Sequence, residues 1–236
     1  MVENILIKNG IEAYNEKNYN AALKYFNKYF NEIQDERDYR VYYYAGLTYT
    51  QLGNYDEAIE NFRKLITIKM PPEMAIQFRM ILGYIYSVRN DYALAKKIFE
   101  SVLKINENHV QAMASLGYIF HKMDEDKKAI RILKKAITID KKNPNLHNSL
   151  GYIYANMKGK TKQAIKECQT ALKLKPDYPA YLDSLGWAYF KAGKLSEAKK
   201  YLTQALESLP DQKEIKEHFR QMVVKDMTSR HNDKID

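Results

Sequence analysis

The stretch "SLGWAYFKAGKLSEA", beginning at Ser184, places a glycine inside what otherwise reads as helix. Glycine there costs about 1 kcal/mol relative to alanine, so something must approach the backbone closely. The phrase is not unique. It returns as "NSLGYIYANMKGKTKQA" from Asn148, "ASLGYIFHKMDEDKKA" from Ala114, "MILGYIYSVRNDYALA" from Met80 and "YYAGLTYTQLGNYDEA" from Tyr43, with a degenerate copy from Ile7. The glycines in phase are Gly10, Gly46, Gly83, Gly117, Gly151 and Gly186, at spacings of 36, 37, 34, 34 and 35 residues. A fixed period of this size decides the architecture: small units that cannot bury their apolar faces alone must stack.

Counting from Glu3, Tyr39, Ile76, Val110, Pro144 and Pro179 puts each glycine at position 8. Position 20 is then Ala22, Ala58, Ala95, Ala129, Ala164 and Ala198, the fifth after a one-residue insertion in "MKGKTKQA". Position 24 is Phe26, Phe62, Phe99, Leu133, Cys168 and Leu202. Position 11 is Ala13, Tyr49, Tyr86, Phe120, Tyr154 and Tyr189. Apolar residues recur at helical spacing over positions 1–14 and 17–30, with turn signals such as "LGNYD" and "KAGK" between them. Each unit therefore predicts a helix–turn–helix hairpin. Gly46, Gly83, Gly117, Gly151 and Gly186, with Ala58, Ala95, Ala129, Ala164 and Ala198, are expected where its two helices touch.

The pattern resembles the tetratricopeptide repeat (TPR) family over roughly residues 3–212. Position 4, where that family carries Trp, holds Leu6, Tyr42, Arg79, Met113, His147 and Leu182. The resemblance implies an all-α, right-handed superhelical solenoid of about six repeats, with a concave face lined by the first helices. The expected units are 3–38 (degenerate), 39–75, 76–109, 110–143, 144–178 and 179–211. Pro71-Pro72 breaks the helix in "IKMPPEMA" and predicts a longer loop between the second and third. Residues 212–229 carry Ile215, Phe219, Met222 and Val223 on one face and read as a capping helix. Residues 230–236 read as a disordered tail.

No phosphate-binding glycine loop, His-Glu-x-x-His, cysteine pair or nucleophile elbow is present, so no enzyme, metal site or cofactor is expected. Cys168 sits at a core position and is expected to be an inert buried thiol. With 28% charged residues, mean hydropathy −0.58 and no long apolar run, no membrane span is expected. The N-terminus shows no signal peptide, which favours the cytoplasm unless Met1 replaced an export signal.

The resemblance implies that positions 2, 5, 6, 9, 12 and 13 face the concave side. Position 9 reads Tyr84, Tyr118, Tyr152 and Trp187 over four consecutive repeats. Beside that row stand Gln77, Gln111, Ser115, Asn145, Asn148, Ser149, Asn156, Asp183 and Ser184. Aromatic area with adaptable amides and hydroxyls suits a protein or peptide partner. Packing of each aromatic against the next repeat, with no ligand, is the alternative. The subclass that clamps acidic chaperone tails needs Lys at position 5, which is Ile7, Tyr43, Met80, Ala114, Asn148 or Asp183 here, so that function is excluded.

Charge is uneven. It runs from −2 over residues 1–38 to +4 in each of the fourth and fifth units. Lys127, Lys128, Arg131, Lys134, Lys135, Lys141, Lys142, Lys158, Lys160, Lys162 and Lys166 fall mostly on second helices or turns. They read first as a solvated outer face. Nucleic-acid binding is a rival function and an unfavoured one, since exposed aromatics are not interleaved. The expectation is a non-enzymatic adaptor binding a protein in its groove, with a role in envelope or motility assembly as a further alternative.

Overall fold

The computed structural model describes residues 2–33 and 38–232. Among them are thirteen helices and no strand. Six antiparallel hairpins follow in order: α1 (Val2–Asn15) and α2 (Tyr19–Glu32), α3 (Tyr39–Gln51) and α4 (Tyr55–Leu65), α5 (Pro72–Val88) and α6 (Tyr92–Ile105), α7 (Val110–Lys122) and α8 (Asp126–Ile139), α9 (Pro144–Asn156) and α10 (Thr161–Leu174), α11 (Pro179–Lys191) and α12 (Leu195–Ser208). A longer helix, α13 (Lys213–Asn232), closes the order. The chain forms two compact units, residues 1–112 and 113–236. In the first, α1 packs on α2 and α3, and α3 to α6 pack consecutively. In the second, α8 meets α9, α9 and α10 pair, α11 lies on both, and α13 packs on α11 and α12.

The repeat glycines answer to their position-24 partners. A Cβ on Gly10, Gly46 or Gly83 would lie 2.4, 2.7 or 2.6 Å from the ring of Phe26, Phe62 or Phe99. On Gly117 or Gly186 it would meet Leu133 or Leu202 at 2.7 Å, and on Gly151 the Cys168 Sγ at 2.5 Å. Ala58, Ala95, Ala129, Ala164 and Ala198 are fully buried one turn earlier on the second helix. The glycine is thus the socket for a side chain of the facing helix, and alanine keeps that helix close.

Five of the six hairpin turns are closed by one device; the turn between α9 and α10, which carries the insertion, has Gly159 (φ 75°) and a hydrogen bond from the Lys160 N–H to the Met157 carbonyl instead. The residue after the first helix's cap takes the left-handed conformation: Lys17 (φ 61°), Gly53 (78°), Asn90 (63°), Asp124 (58°) and Gly193 (76°). The next N–H then reaches back to the position-11 carbonyl, as in Asn54 to Tyr49 at 2.9 Å and Lys194 to Tyr189 at 3.0 Å. This is the six-to-one hydrogen bond that satisfies a frayed helix end. Glycine at Gly53 and Gly193 takes this φ without steric cost, and Asn and Asp tolerate it.

Two local departures from expectation have physical causes. The Pro71-Pro72 insertion lengthens the loop to 66–71, but it also shortens α4 and extends α5. Pro72 suits the first helical turn, where no N–H is needed, so α5 starts before Ile76. The last helix runs on to Asn232, past Arg230, where a tail was expected; residues 233–236 of that tail lie outside the described residues. His147, at the position the family gives to Trp, is buried and satisfied. Its Nδ1 is 2.7 Å from Glu167 Oε2 and its Nε2 is 3.1 Å from the Lys141 carbonyl.

Candidate functional site

In residues 113–232 the first helices converge on a cavity of about 270 Å³. Its walls are Tyr118, His121 and Lys122 from α7, Asn148, Ser149, Tyr152 and Ile153 from α9, Ala180, Asp183 and Ser184 from α11, and Glu214 from α13. All but Ile153 and Glu214 occupy the repeat positions expected to face inward. Glu214 follows the same rule, because α13 continues the period. Counted on from Pro179, Glu214 falls at position 2 and His218 at position 6. The terminal helix therefore keeps the register of a first helix as well as covering the last hairpin.

The far wall is held by an ordered network. His218 Nδ1 lies 2.9 and 3.0 Å from the two Asp183 carboxylate oxygens, with both residues buried. The Trp187 ring stacks on His218 at 4.1 Å and 19°. Its indole N–H donates to Asn156 Oδ1 at 3.0 Å. The Tyr152 hydroxyl donates to Glu214 Oε1 at 2.9 Å. Burial, reinforced by the Glu214 carboxylate, pushes the Tyr152 phenol well up from its usual value, so it stays protonated as the donor. At the opposite wall His121 hydrogen-bonds Asp126 at 2.7 Å, and Lys122 Nζ lies 5.5 Å above the Tyr118 ring.

The sequence-derived groove residues divide. Tyr118, Asn148 and Tyr152 come together in the cavity, with Ser149, Asp183 and Ser184. Tyr118 is 46% exposed, and Tyr152 is half-buried. Trp187 is buried under His218 and is part of the scaffold rather than an open groove wall, and Asn156 orients its indole. Asn145 accepts the Tyr181 hydroxyl at 2.5 Å, and Ser115 is half-buried on α7 outside the lining. Tyr84, Gln77 and Gln111 belong to the other unit. There Tyr84 is 57% exposed, and Gln77 Oε1 accepts the Tyr43 hydroxyl at 2.9 Å. Sequence reasoning missed His121, Lys122, Ile153, Ala180 and Glu214. The first two stand at positions 12 and 13, and Glu214 would have emerged from extending the period into α13.

Among the described residues, no group of three or more His, Cys, Asp or Glu could hold a metal ion. No helix among them is long and apolar enough to cross a membrane. The basic side chains Lys127, Arg131, Lys134, Lys162 and Lys166 are all exposed on α8 and α10.

Stacked hairpins with a small socket at one fixed position and an inward-facing ladder of first-helix side chains define an all-α repeat scaffold. The chain belongs to the tetratricopeptide repeat family: the profile of the tetratricopeptide repeat protein 21 C-terminal ARM domain matches residues 4–183, and a tetratricopeptide repeat profile matches residues 155–217. Over 41 residues it is 56% identical to the TPR repeat-containing protein PA4667 of Pseudomonas aeruginosa, a match spanning 17% of this chain and 7% of that protein. Among solved structures it resembles PilW, a type IV pilus biogenesis factor (TM-score 0.70, 17% identity, 92% of this chain and 97% of that one). It also resembles a chain of an APC/C hetero-tetramer (0.69, 16%, 92% and 42%). A third likeness is YrrB, described as a TPR protein with an unusual peptide-binding site (0.58, 19%, 80% and 95%). At these identities the likeness is one of fold. That fold is typically a non-enzymatic protein–protein interaction scaffold.

Proposed function

We propose that this chain is a non-enzymatic adaptor that binds a segment of a partner protein on the concave face of residues 113–232. One observation carries the reading: equivalent positions of α7, α9, α11 and α13 line a single cavity, with Tyr118 exposed at its wall. A phenol ring offers broad contact at low entropic cost, and Ser149, Asn148 and Ser184 supply adaptable hydrogen bonds. The network behind them fixes the wall in advance, which lowers the ordering cost of binding.

The test is affinity capture from native lysate with the full chain, followed by a direct binding measurement on whatever is captured. Tyr118→Ala, which removes exposed contact area, and Ser149→Arg, which fills the cavity, are each expected to weaken that binding about tenfold or more. Lys134→Glu on the outer face is expected to leave it within about twofold at physiological salt. Equal binding by all three variants and the wild type would overturn the reading.

A second reading has its own observation. The exposed cations of α8 and α10 repeat in phase, Lys127 with Lys162 and Arg131 with Lys166. Such a face supports weak, salt-sensitive binding to nucleic acid.

A further inference from the structure

The cavity holds one unsatisfied atom. Asn148 Oδ1 is buried and accepts no hydrogen bond from any described residue. Buried side-chain acceptors are nearly always paired, and an orphan carries a desolvation cost of about 1–3 kcal/mol. On the same lining stands Glu214, exposed, whose carboxylate accepts the Tyr152 hydroxyl and takes part in no ion pair among the described residues. The other charged groups there have partners. Asp183 is held by His218, His121 by Asp126, and Lys122 lies over the Tyr118 ring. The cavity therefore presents one carboxylate without an ion pair beside two phenol rings, and one unsatisfied carbonyl oxygen is buried in its wall.

Its surroundings have the opposite sign. The whole net charge of +9 lies in residues 113–236, and its cations are spread over the outer helices. An acidic segment would be drawn to that outer face, whereas at Glu214 in the cavity it would meet a like charge. A cationic side chain matches the Glu214 carboxylate and the phenol ring beside it. Its N–H groups would donate to the Glu214 carboxylate and to Asn148 Oδ1, and its charge would lie against the tyrosine faces.

Building on the concave-face reading above, we infer that the partner segment anchors in this cavity through a basic side chain, arginine or lysine. Arginine is the better fit, because its planar fork can pair with a carboxylate through two N–H groups while its face lies on a tyrosine ring.

The experiment uses the full chain and immobilised short peptides of matched hydrophobicity, with one central position varied among arginine, lysine, citrulline and glutamate. Arginine and lysine peptides are expected to be retained about tenfold more than their citrulline and glutamate counterparts, as a charge-assisted contact requires. Glu214→Gln should remove that preference. Asn148→Leu should weaken it, and Asn148→Asp, which adds a negative charge at the same spot, should strengthen it. Circular dichroism confirms that each variant keeps its helical content. Preference for glutamate, or an arginine preference undiminished in Glu214→Gln, would overturn the basic anchor. If Tyr118→Ala lowers retention of every peptide and no basic preference exists, the anchor alone fails. If Tyr118→Ala changes no peptide's retention, the concave-face reading fails and the anchor with it.

Discussion

His218 on the terminal helix donates to Asp183 on α11 at 2.9 Å, and both side chains are buried. This pair ties α13 to the last hairpin and at the same time positions Glu214 at the cavity, with Trp187 stacked on His218 behind it. Ile215 adds an apolar tie through its cluster with Leu182 and Ala205.

Removing the acceptor leaves the buried His218 N–H without its hydrogen bond, at a cost of about 1–3 kcal/mol. Asp183→Ala is therefore expected to release α13. Hydrogen exchange followed by mass spectrometry should show lost protection over residues 213–228, with α3 to α6 unchanged. Protection of α13 equal to that of the wild type would contradict the account.

Gly151→Ala separates packing from propensity. In an open helix this change gains about 1 kcal/mol. Here the new Cβ would lie 2.5 Å from Cys168 Sγ and 3.0 Å from the Cys168 backbone nitrogen, which cannot swing away. The expected outcome is a loss of about 1–3 kcal/mol in denaturant unfolding.

Much of this was legible in the sequence because it is periodic. The phase of the glycines located every hairpin, and positions 2, 5, 6, 9, 12 and 13 named most of the cavity wall. What escaped was pairwise. Nothing in the composition of "SLGWAYF" says that Trp187 will be covered by a histidine from the following helix. That contact exists only because α13 keeps the period while losing the repeat's sequence landmarks: no glycine or alanine marks its phase. For the same reason Glu214 was not assigned to the groove. His147 and Arg79 broke the position-4 pattern, yet each finds local acceptors, Glu167 and the Lys141 carbonyl for one and the Ala75 carbonyl for the other.

Cys168 supplies a chemical check on the core. Burial, with smaller contributions from Glu167 and Asp183, pushes its thiol well above the usual range. The thiolate is the reactive form, so the native protein should resist alkylation even at mildly alkaline pH. In strong guanidinium the same thiol should react at the rate of a free cysteine. Rapid native modification that rises with pH between about 7 and 9 would place Cys168 at the surface.

Alkaline pH gives the last test, in the first unit. Tyr43 is buried, and that burial, helped by Tyr44 and Tyr14, pushes its phenol up to about 12, while its hydroxyl donates to Gln77 Oε1 at 2.9 Å. A folded-state value above the unfolded value of about 10 means that the fold prefers the protonated phenol. The stabilisation is therefore complete below about pH 10 and is lost as pH rises from there towards 12. Tyr43→Phe should cost about 1 kcal/mol at neutral pH through the lost hydrogen bond. It should also flatten the decline in stability over that alkaline window. Denaturant unfolding of both proteins at neutral pH and across the window measures the two effects together. A variant that declines as steeply as the wild type would show that Tyr43 is not the group being titrated.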